Sequence, residues 1–323
     1  MPESEIRSKQ PRRARRPFLP RAAFWSHVFE WQESGERKVH LTVMAFGAFA
    51  ALVWFVDVVT PTRIDLGLAV APYEFAGAIL GSLLVLRTNA GLDRWYEARK
   101  LWGGITNASR NLAILIVANG PVDPAWRREI IGWVAAFGHV GRRRLRSQKE
   151  LSEVEELVGP EGLALLQVAE HRPSAVALRI ATLLREARDR GELDPWAYSR
   201  AEEQRALLID CLGACERILK TPLATAYVVL IRRFIVLFLL SLPFALLRRV
   251  EWMTPIITLL VAYPILALDH IADDLQHPFS TRSINHLPLN DITTNIETNL
   301  LALLPSPDEA TAGPLHPDRS LAR

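Results

Sequence analysis

Two histidines and two aspartates lie close together in the stretch DHIADDLQHPF, residues 269–279. Their spacing of i, i+3, i+4 and i+7 places all four on one face of a helix. Imidazole and carboxylate groups together suit a divalent cation. The pattern predicts a candidate metal site, and the alternative is a polar helix end that emerges from a membrane. The four residues are His270, Asp273, Asp274 and His277.

The two cysteines of the chain, Cys211 and Cys215, are four residues apart and share a face of a helix. They could form half of a soft-metal site. The sequence has no second pair, so the alternative is that both pack as small apolar residues. Two cysteines give no disulfide framework. The sequence also contains no Gly-rich phosphate loop, no GxSxG and no HExxH motif, so we expect no enzyme.

A third set of candidate residues lies within the apolar stretch 66–86. Glu74 is near its start, where an acid favours the dipole of a helix. A ring of such acids would also concentrate cations at the mouth of a pore. Ala78, Ser82 and Leu86 follow at i, i+4 and i+8. Such a stripe usually faces lipid or packs against another helix, but in a symmetric oligomer it would line an axial pore.

The elements that must position these residues include four apolar runs. The first, 39–60, has about the 20 residues that a helix needs to cross a bilayer. The last two are shorter and contain prolines, which spanning helices tolerate better than soluble ones. Together the runs form two hairpin-like pairs, so the sequence predicts four transmembrane helices in an all-α protein. The runs are 39–60, 66–86, 234–247 and 253–268.

The distribution of charge predicts the orientation in the membrane. Residues 1–38 carry nine Lys/Arg against five acids, and basic residues also follow the second run and precede the third. Basic flanks stay on the cytoplasmic side, so we expect a multi-pass inner-membrane protein with both termini in the cytoplasm. Arg248 and Arg249 lie on the wrong side for this orientation. The net charge of only +3 gives little support to nucleic-acid binding.

The segment between the two pairs of runs is predicted to form a soluble helical domain. Residues 87–226 hold 21 basic and 18 acidic residues and show a helical spacing of apolar side chains. Its first stretch, RTNAGLDRWYEARKLWGG, follows the second run without a linker, so we expect one helix to leave the membrane and continue. We expect Arg94, Glu97 and Lys100 on that helix to face water or an adjacent subunit.

The resulting organisation has six parts. They are a basic cytosolic arm at 1–38, the first membrane pair at 39–86, the cytosolic domain at 87–226, the second membrane pair at 227–270, a cytosolic helical segment at 271–304 and a disordered tail at 305–323.

Four segments in this order resemble the prokaryotic branch of the bestrophin family, over roughly residues 24–303. The resemblance implies a homopentameric ion channel with four membrane helices per subunit, a large helical cytosolic part and one pore on the five-fold axis. It implies chloride or other monovalent ions as the permeating species. The segments are RTNAGLDRWYEARKLWGG, CLGACERILKTPLATAY, SLPFALL and LPLNDITTNIETNLL.

The resemblance also assigns residues. In the family the second helix lines a narrow neck, at positions that correspond here to Ala78, Ser82 and Leu86. Relatives place Ile or Phe there, so the implied neck is wider and less apolar. A second constriction at the cytosolic end corresponds to Trp196. These residues are mostly neutral and leave the sign of the ion open.

Eukaryotic members carry an acidic cluster after the fourth helix that binds calcium. The corresponding stretch here keeps Asp273 and Asp274 but lacks the acidic run. Calcium takes six to eight oxygen ligands, so we expect weak calcium dependence or none, and no cofactor. The sequence therefore predicts a passive ion channel whose partners are copies of itself, lipid and small ions. The alternatives are a membrane-anchored metal-binding enzyme and a signalling scaffold.

Overall fold

The structure, a computed structural model, describes residues 36–60, 68–283 and 285–304. Within these residues the regular structure is entirely helical, which confirms the all-α prediction. Residues 1–35 of the basic arm and the tail 305–323 lie outside the described residues. The helices are α1 Glu36–Val59, α2 Ala71–Asn119, α3 Pro124–Leu145, α4 Ser152–Val168, α5 Arg172–Asp189, α6 Pro195–Lys220, α7 Thr225–Val250, α8 Thr254–Leu275 and α9 Leu289–Leu301.

Four of these helices contain the four apolar runs. The segments Arg37–Val59, Ala71–Asn119 and Thr225–Leu275 are long and apolar enough to cross a membrane, and the last contains both α7 and α8. Only 22% of the apolar window in each of the first two segments is buried within the subunit, which leaves apolar surface for lipid or for other copies. The helices extend beyond the apolar runs: α7 begins nine residues before the third run, and α8 continues to Leu275, seven residues after the end of the fourth run.

α2 is a single helix of 49 residues, which confirms that the second apolar run continues into the soluble part of the chain. At 1.5 Å per residue it is about 70 Å long, more than twice the thickness of the hydrocarbon core of a bilayer. Small residues let neighbouring helices approach it closely. A Cβ atom added to Gly91 would lie 3.1 Å from the carbonyl oxygen of Ala272 on α8.

Proline and aspartate fix where the soluble helices begin. The carboxylate of Asp123 accepts a hydrogen bond from the backbone of Ala125 at 3.0 Å, and Asp194 does the same for Trp196 at 2.8 Å. Proline follows each of these caps, where its missing N–H costs nothing. Residues next to each other in the sequence therefore set the first residue of both helices.

The described residues form two apolar cores. One lies among α1, α2, α7 and α8, where Leu80 and Leu84 of α2 are almost fully buried. The other lies in the soluble part, where α2 packs against α3 and α6 and Trp102 is 1% exposed. Because α2 contributes to both cores, it is the element that joins the membrane part to the soluble part.

Candidate pore-lining helix and its ion pairs

One face of α2 is exposed along almost its whole length in the isolated subunit. Exposed residues recur every three to seven positions between 75 and 111, which keeps them on one side of the helix. The side chains are apolar or small up to Leu86 and mostly polar beyond it. We call this surface the open face of α2. Its residues are Phe75, Ala78, Ser82, Leu86, Asn89, Asp93, Lys100, Asn107 and Asn111.

The structure places the three residues predicted for the neck together on the open face. Leu86 is 59% exposed, and Ala78 and Ser82 are also exposed. The hydroxyl of Ser82 donates a hydrogen bond to the carbonyl oxygen of Ala78 at 2.9 Å. The single hydroxyl proton of Ser82 is thus used within the helix, and the side chain presents only an acceptor to its surroundings. Glu74 is exposed in the first turn of the same helix.

α6 runs antiparallel to the soluble half of α2. Arg94 near the middle of α2 donates to the carbonyl oxygen of Thr221 at 2.7 Å, just after the end of α6. Further along, the side chain of Asn111 contacts that of Gln204 at 3.4 Å. Arg94 is therefore half-buried and caps the C-terminal carbonyls of α6. The expectation that it faces water or another subunit is wrong for this residue.

Trp196, the residue predicted for the cytosolic aperture, lies in the first turn of α6. The antiparallel register places it level with the last residues of α2, near Asn119. Its side chain is 65% exposed, which is unusual for a tryptophan in a helical domain. The predicted aperture and the predicted mouth at Glu74 thus lie at opposite ends of α2.

A cluster of four charged residues lies directly after the neck stretch. The guanidinium of Arg87 contacts the carboxylate of Asp269 and lies 3.5 Å from that of Asp273. Arg232 of α7 contacts both carboxylates, at 3.3 Å and 2.9 Å. Arg87 is wholly buried. A buried charge is tolerated only when it is paired, so the cluster holds α2 against α7 and α8.

The predicted metal site is wrong. α8 ends at Leu275, so the helical face does not continue to His277, whose Nδ1 atom lies 2.9 Å from the carbonyl oxygen of Asp273. The carboxylate of Asp273 faces two guanidinium groups, whose positive charges compete with a cation. No group of three or more potential ligands is arranged for a metal ion within the described residues. The predicted set was His270, Asp273, Asp274 and His277.

The two cysteines pack in the soluble core, as one of the two alternatives predicted. Cys215 is fully buried and Cys211 is 8% exposed, and both thiols are free. Burial raises the pKa of the Cys215 thiol to about 12, so it stays protonated and unreactive at neutral pH. A Cβ atom added to Gly104 of α2 would lie 2.8 Å from the sulfur of Cys211, so the small residues allow α2 and α6 to pack closely.

A buried polar cluster in the soluble part was not identified from the sequence. His139 is 2% exposed and lies between two carboxylates, with its Nδ1 atom 3.1 Å from Glu153 and its Nε2 atom 2.8 Å from Glu297. Burial opposes ionisation of Glu153, but the hydrogen bond from Arg142 and the charges of Arg142, Arg143 and His139 outweigh it and hold its pKa below the usual value. The cluster joins α3, α4 and α9. The only signal of this cluster in the sequence is the spacing of His139, Arg142 and Arg143 at i, i+3 and i+4 on α3.

Comparison with known proteins identifies the family. The family model described as "Bacterial/Fungal Bestrophin protein" matches residues 17–302. The chain belongs to the bestrophin family. Members of this family are membrane channels, so the protein is a channel and not an enzyme.

Curated relatives and solved structures support this bestrophin assignment. The chain is 31% identical to "Voltage-dependent anion channel-forming protein YneE" of Escherichia coli (strain K12), covering 88% of this chain and 92% of that protein. A relative of the same description from Ralstonia nicotianae is 32% identical and covers 77% and 83%. The crystal structure of a bacterial bestrophin homolog from Klebsiella pneumoniae has a TM-score of 0.75 at 28% identity, covering 82% and 97%.

Proposed function

We propose that this bestrophin is a passive channel for small monovalent ions, in which five identical subunits surround one axial pore lined by α2. Ions would cross by electrodiffusion. Anions are the first candidates, because the curated relatives are named anion channel-forming proteins. The membrane would be the bacterial inner membrane, with both termini in the cytoplasm, because the segments that flank the membrane helices on that side are basic and basic flanks favour the cytoplasmic side.

The observation that carries this proposal is the open face of α2. A helix of 49 residues with one exposed face contributes the same surface from every copy in a ring. Its apolar and small residues up to Leu86 suit a narrow passage within the membrane. Its polar residues beyond Leu86 suit a wider, hydrated vestibule in the soluble part.

Three parts of the pore are assigned on this basis. The neck would be formed by Ala78, Ser82 and Leu86, and the small side chains of Ala78 and Ser82 make a wider passage than isoleucine or phenylalanine would. Five copies of Glu74 would form an acidic ring at the outer mouth; such a ring favours cations, in opposition to the names of the relatives, so the reversal potential decides the sign of the permeating ion. Five copies of Trp196 would form the aperture at the cytosolic end, where the exposed indole rings converge.

Two measurements on the purified full chain test the proposal. Light scattering in detergent should give a protein mass of about five times the 36.3 kDa of one chain. In planar bilayers with unequal potassium chloride on the two sides, the reversal potential should depart from zero, and its sign identifies the permeating ion. A single-copy particle with no current for any small ion would contradict the channel proposal and favour a scaffold.

A further inference from the structure

A cavity of about 460 Å³ in the soluble part is rich in arginine and lacks acids. It lies where α2 meets the C-terminal ends of α3 and α6 and the loop that follows α8. Phe279 and the end of α6 supply apolar walls. No Asp or Glu is among the residues that line it within the described ranges. We call this cavity the basic pocket, and its main residues are Arg94, Arg146, Gln276, His277, Phe279 and Arg282.

The guanidinium of Arg94 is held by neutral groups. It donates to the carbonyl oxygens of Thr221 at 2.7 Å and Ile218 at 2.6 Å, and its Nε atom is buried without an acceptor among the described residues. Burial lowers the pKa of Arg94, and the charge of Glu97 offsets this only in part. Glu97 lies outside the lining of the pocket and is 3.8 Å from Arg217. The positive charge of Arg94 is therefore poorly compensated.

The positive charge of Arg146 is also poorly compensated. It forms no ion pair within the described part of the chain, and burial together with the charges of Arg142 and Arg143 lowers its pKa. An anion beside this guanidinium would relieve both effects, since it would pair with the buried charge and offset the repulsion from the neighbouring arginines. Its acceptors are the neutral oxygens Phe279 O at 3.3 Å, Leu287 O at 3.3 Å and Asn290 Oδ1 at 2.8 Å.

A buried amide adds a donor without a partner. Gln276 is 5% exposed, lines the pocket, and has an Nε2 atom with no acceptor among the described residues. A buried donor left unsatisfied costs free energy, so a ligand that accepts a hydrogen bond here is favoured. His277 also lines the pocket, and its Nδ1 atom is engaged with a carbonyl oxygen. The hydroxyls of Ser280 and Thr281 complete a lining that is rich in donors.

We propose that the basic pocket binds a phosphate-bearing anion. Three guanidinium groups match the geometry and charge of phosphate, and the lining offers no carboxylate that would repel it. The cavity is larger than inorganic phosphate needs, and its apolar wall suits a phosphate ester. Two sources supply this chemistry, namely a soluble phosphate ester and the headgroup of an anionic phospholipid.

The position of the pocket makes the lipid source physically accessible. Arg94 lies seven residues beyond Arg87, about 10 Å along α2 from the end of its apolar stretch. Pro222, which lines the pocket, precedes the start of α7 by three residues. Binding itself does not require that the protein conduct ions. A chain that binds phosphate but carries no current would contradict the channel proposal and leave this one standing.

The test uses the full chain in detergent and two probes. Calorimetry with glycerol 3-phosphate measures the soluble source. Titration with short-chain phosphatidylglycerol, compared with short-chain phosphatidylcholine, measures the lipid source. Saturable binding of glycerol 3-phosphate supports a soluble ligand, and binding of phosphatidylglycerol alone supports a lipid headgroup. No binding of glycerol 3-phosphate, together with no preference for phosphatidylglycerol over phosphatidylcholine, would overturn the proposal.

Variants connect the binding to the pocket. Arg282→Gln is the most informative, because Arg282 is exposed and forms no ion pair within the described residues, so its replacement should leave the fold intact. We expect it and Arg146→Gln to weaken binding by about tenfold or more, as for loss of a charged hydrogen bond. Arg127→Gln is the matched control, since Arg127 also donates to backbone carbonyls but lies outside the pocket. If all three variants bind the probe as tightly as the wild type does, the binding site lies outside the basic pocket.

Discussion

Arg87→Met removes a wholly buried cation and leaves the carboxylate of Asp269, which is 15% exposed, with Arg232 as its remaining partner. Removal of one member of a buried ion pair costs about 3–5 kcal/mol. Because Arg232 still compensates part of the charge and methionine fills much of the same volume, we expect the lower end, about 3 kcal/mol. With an unfolding entropy of about 2.1 cal/mol/K per residue, 1 kcal/mol shifts the midpoint of a chain of 323 residues by about 1.5 °C, so the unfolding midpoint should fall by roughly 4–5 °C.

The assay is thermal unfolding of the purified chain in detergent, followed by tryptophan fluorescence. Arg232→Met is the matched control, because it contacts the same two carboxylates but its side chain is 48% exposed, so the cost should stay below about 1 kcal/mol. Adding Asp269→Asn to Arg87→Met should restore part of the midpoint, since the guanidinium of Arg232 then compensates one carboxylate instead of two. Equal losses for the two arginines, or no recovery in the double variant, would refute the reasoning.

Four further predictions concern other sites. Ser82→Phe should narrow the neck and lower single-channel conductance in planar bilayers, whereas Ser82→Ala should change it little. Trp196→Ala should widen the aperture and raise the permeability to large ions relative to small ones. Cys215 should not react with a thiol reagent at about pH 8 until the protein is unfolded, because burial raises its pKa to about 12. Lowering the pH below about 4.5 should destabilise the wild type more than Glu153→Gln, because the folded state depresses the pKa of Glu153. Such a carboxyl stabilises the fold at pH values above its unfolded pKa, and this contribution is lost as the pH falls towards its folded pKa.

Each of these predictions has an outcome that would contradict it. An unchanged current in Ser82→Phe would show that Ser82 does not line the pore. An unchanged ratio of permeability to large and small ions in Trp196→Ala would show that Trp196 does not form the aperture. Rapid labelling of native protein would show that the thiol of Cys215 is accessible. Parallel loss of thermal stability in the wild type and the Glu153 variant across the acid range would show that this carboxyl is not stabilised by its arginine neighbours.

The features that the sequence predicted correctly depend on local order along the chain. The continuous α2 follows from the absence of a linker between the second apolar run and the charged stretch that begins at Arg87. The apolar runs, together with their arrangement in two hairpin-like pairs, identify the four membrane helices. In each case the physical cause lies within a few residues of its effect.

The features that were missed depend on which distant residues meet. Nothing in the sequence indicates that Arg87 pairs with Asp269 across 182 residues. The metal hypothesis failed because it used the spacing of Asp273 without its neighbour Arg232, which lies on another helix. Arg94 was assigned to the surface for the same reason, since the end of α6 that it caps is distant in sequence.

The most direct test of the central claim is chemical access to the open face of α2 during conduction. The sequence has two cysteines, and both are buried, so Ser82→Cys would introduce a single accessible thiol. A methanethiosulfonate reagent applied to open channels of this variant should reduce the single-channel current in discrete steps and leave the wild type unaffected. Complete modification of the introduced thiol with no change in current would contradict a pore lined by α2.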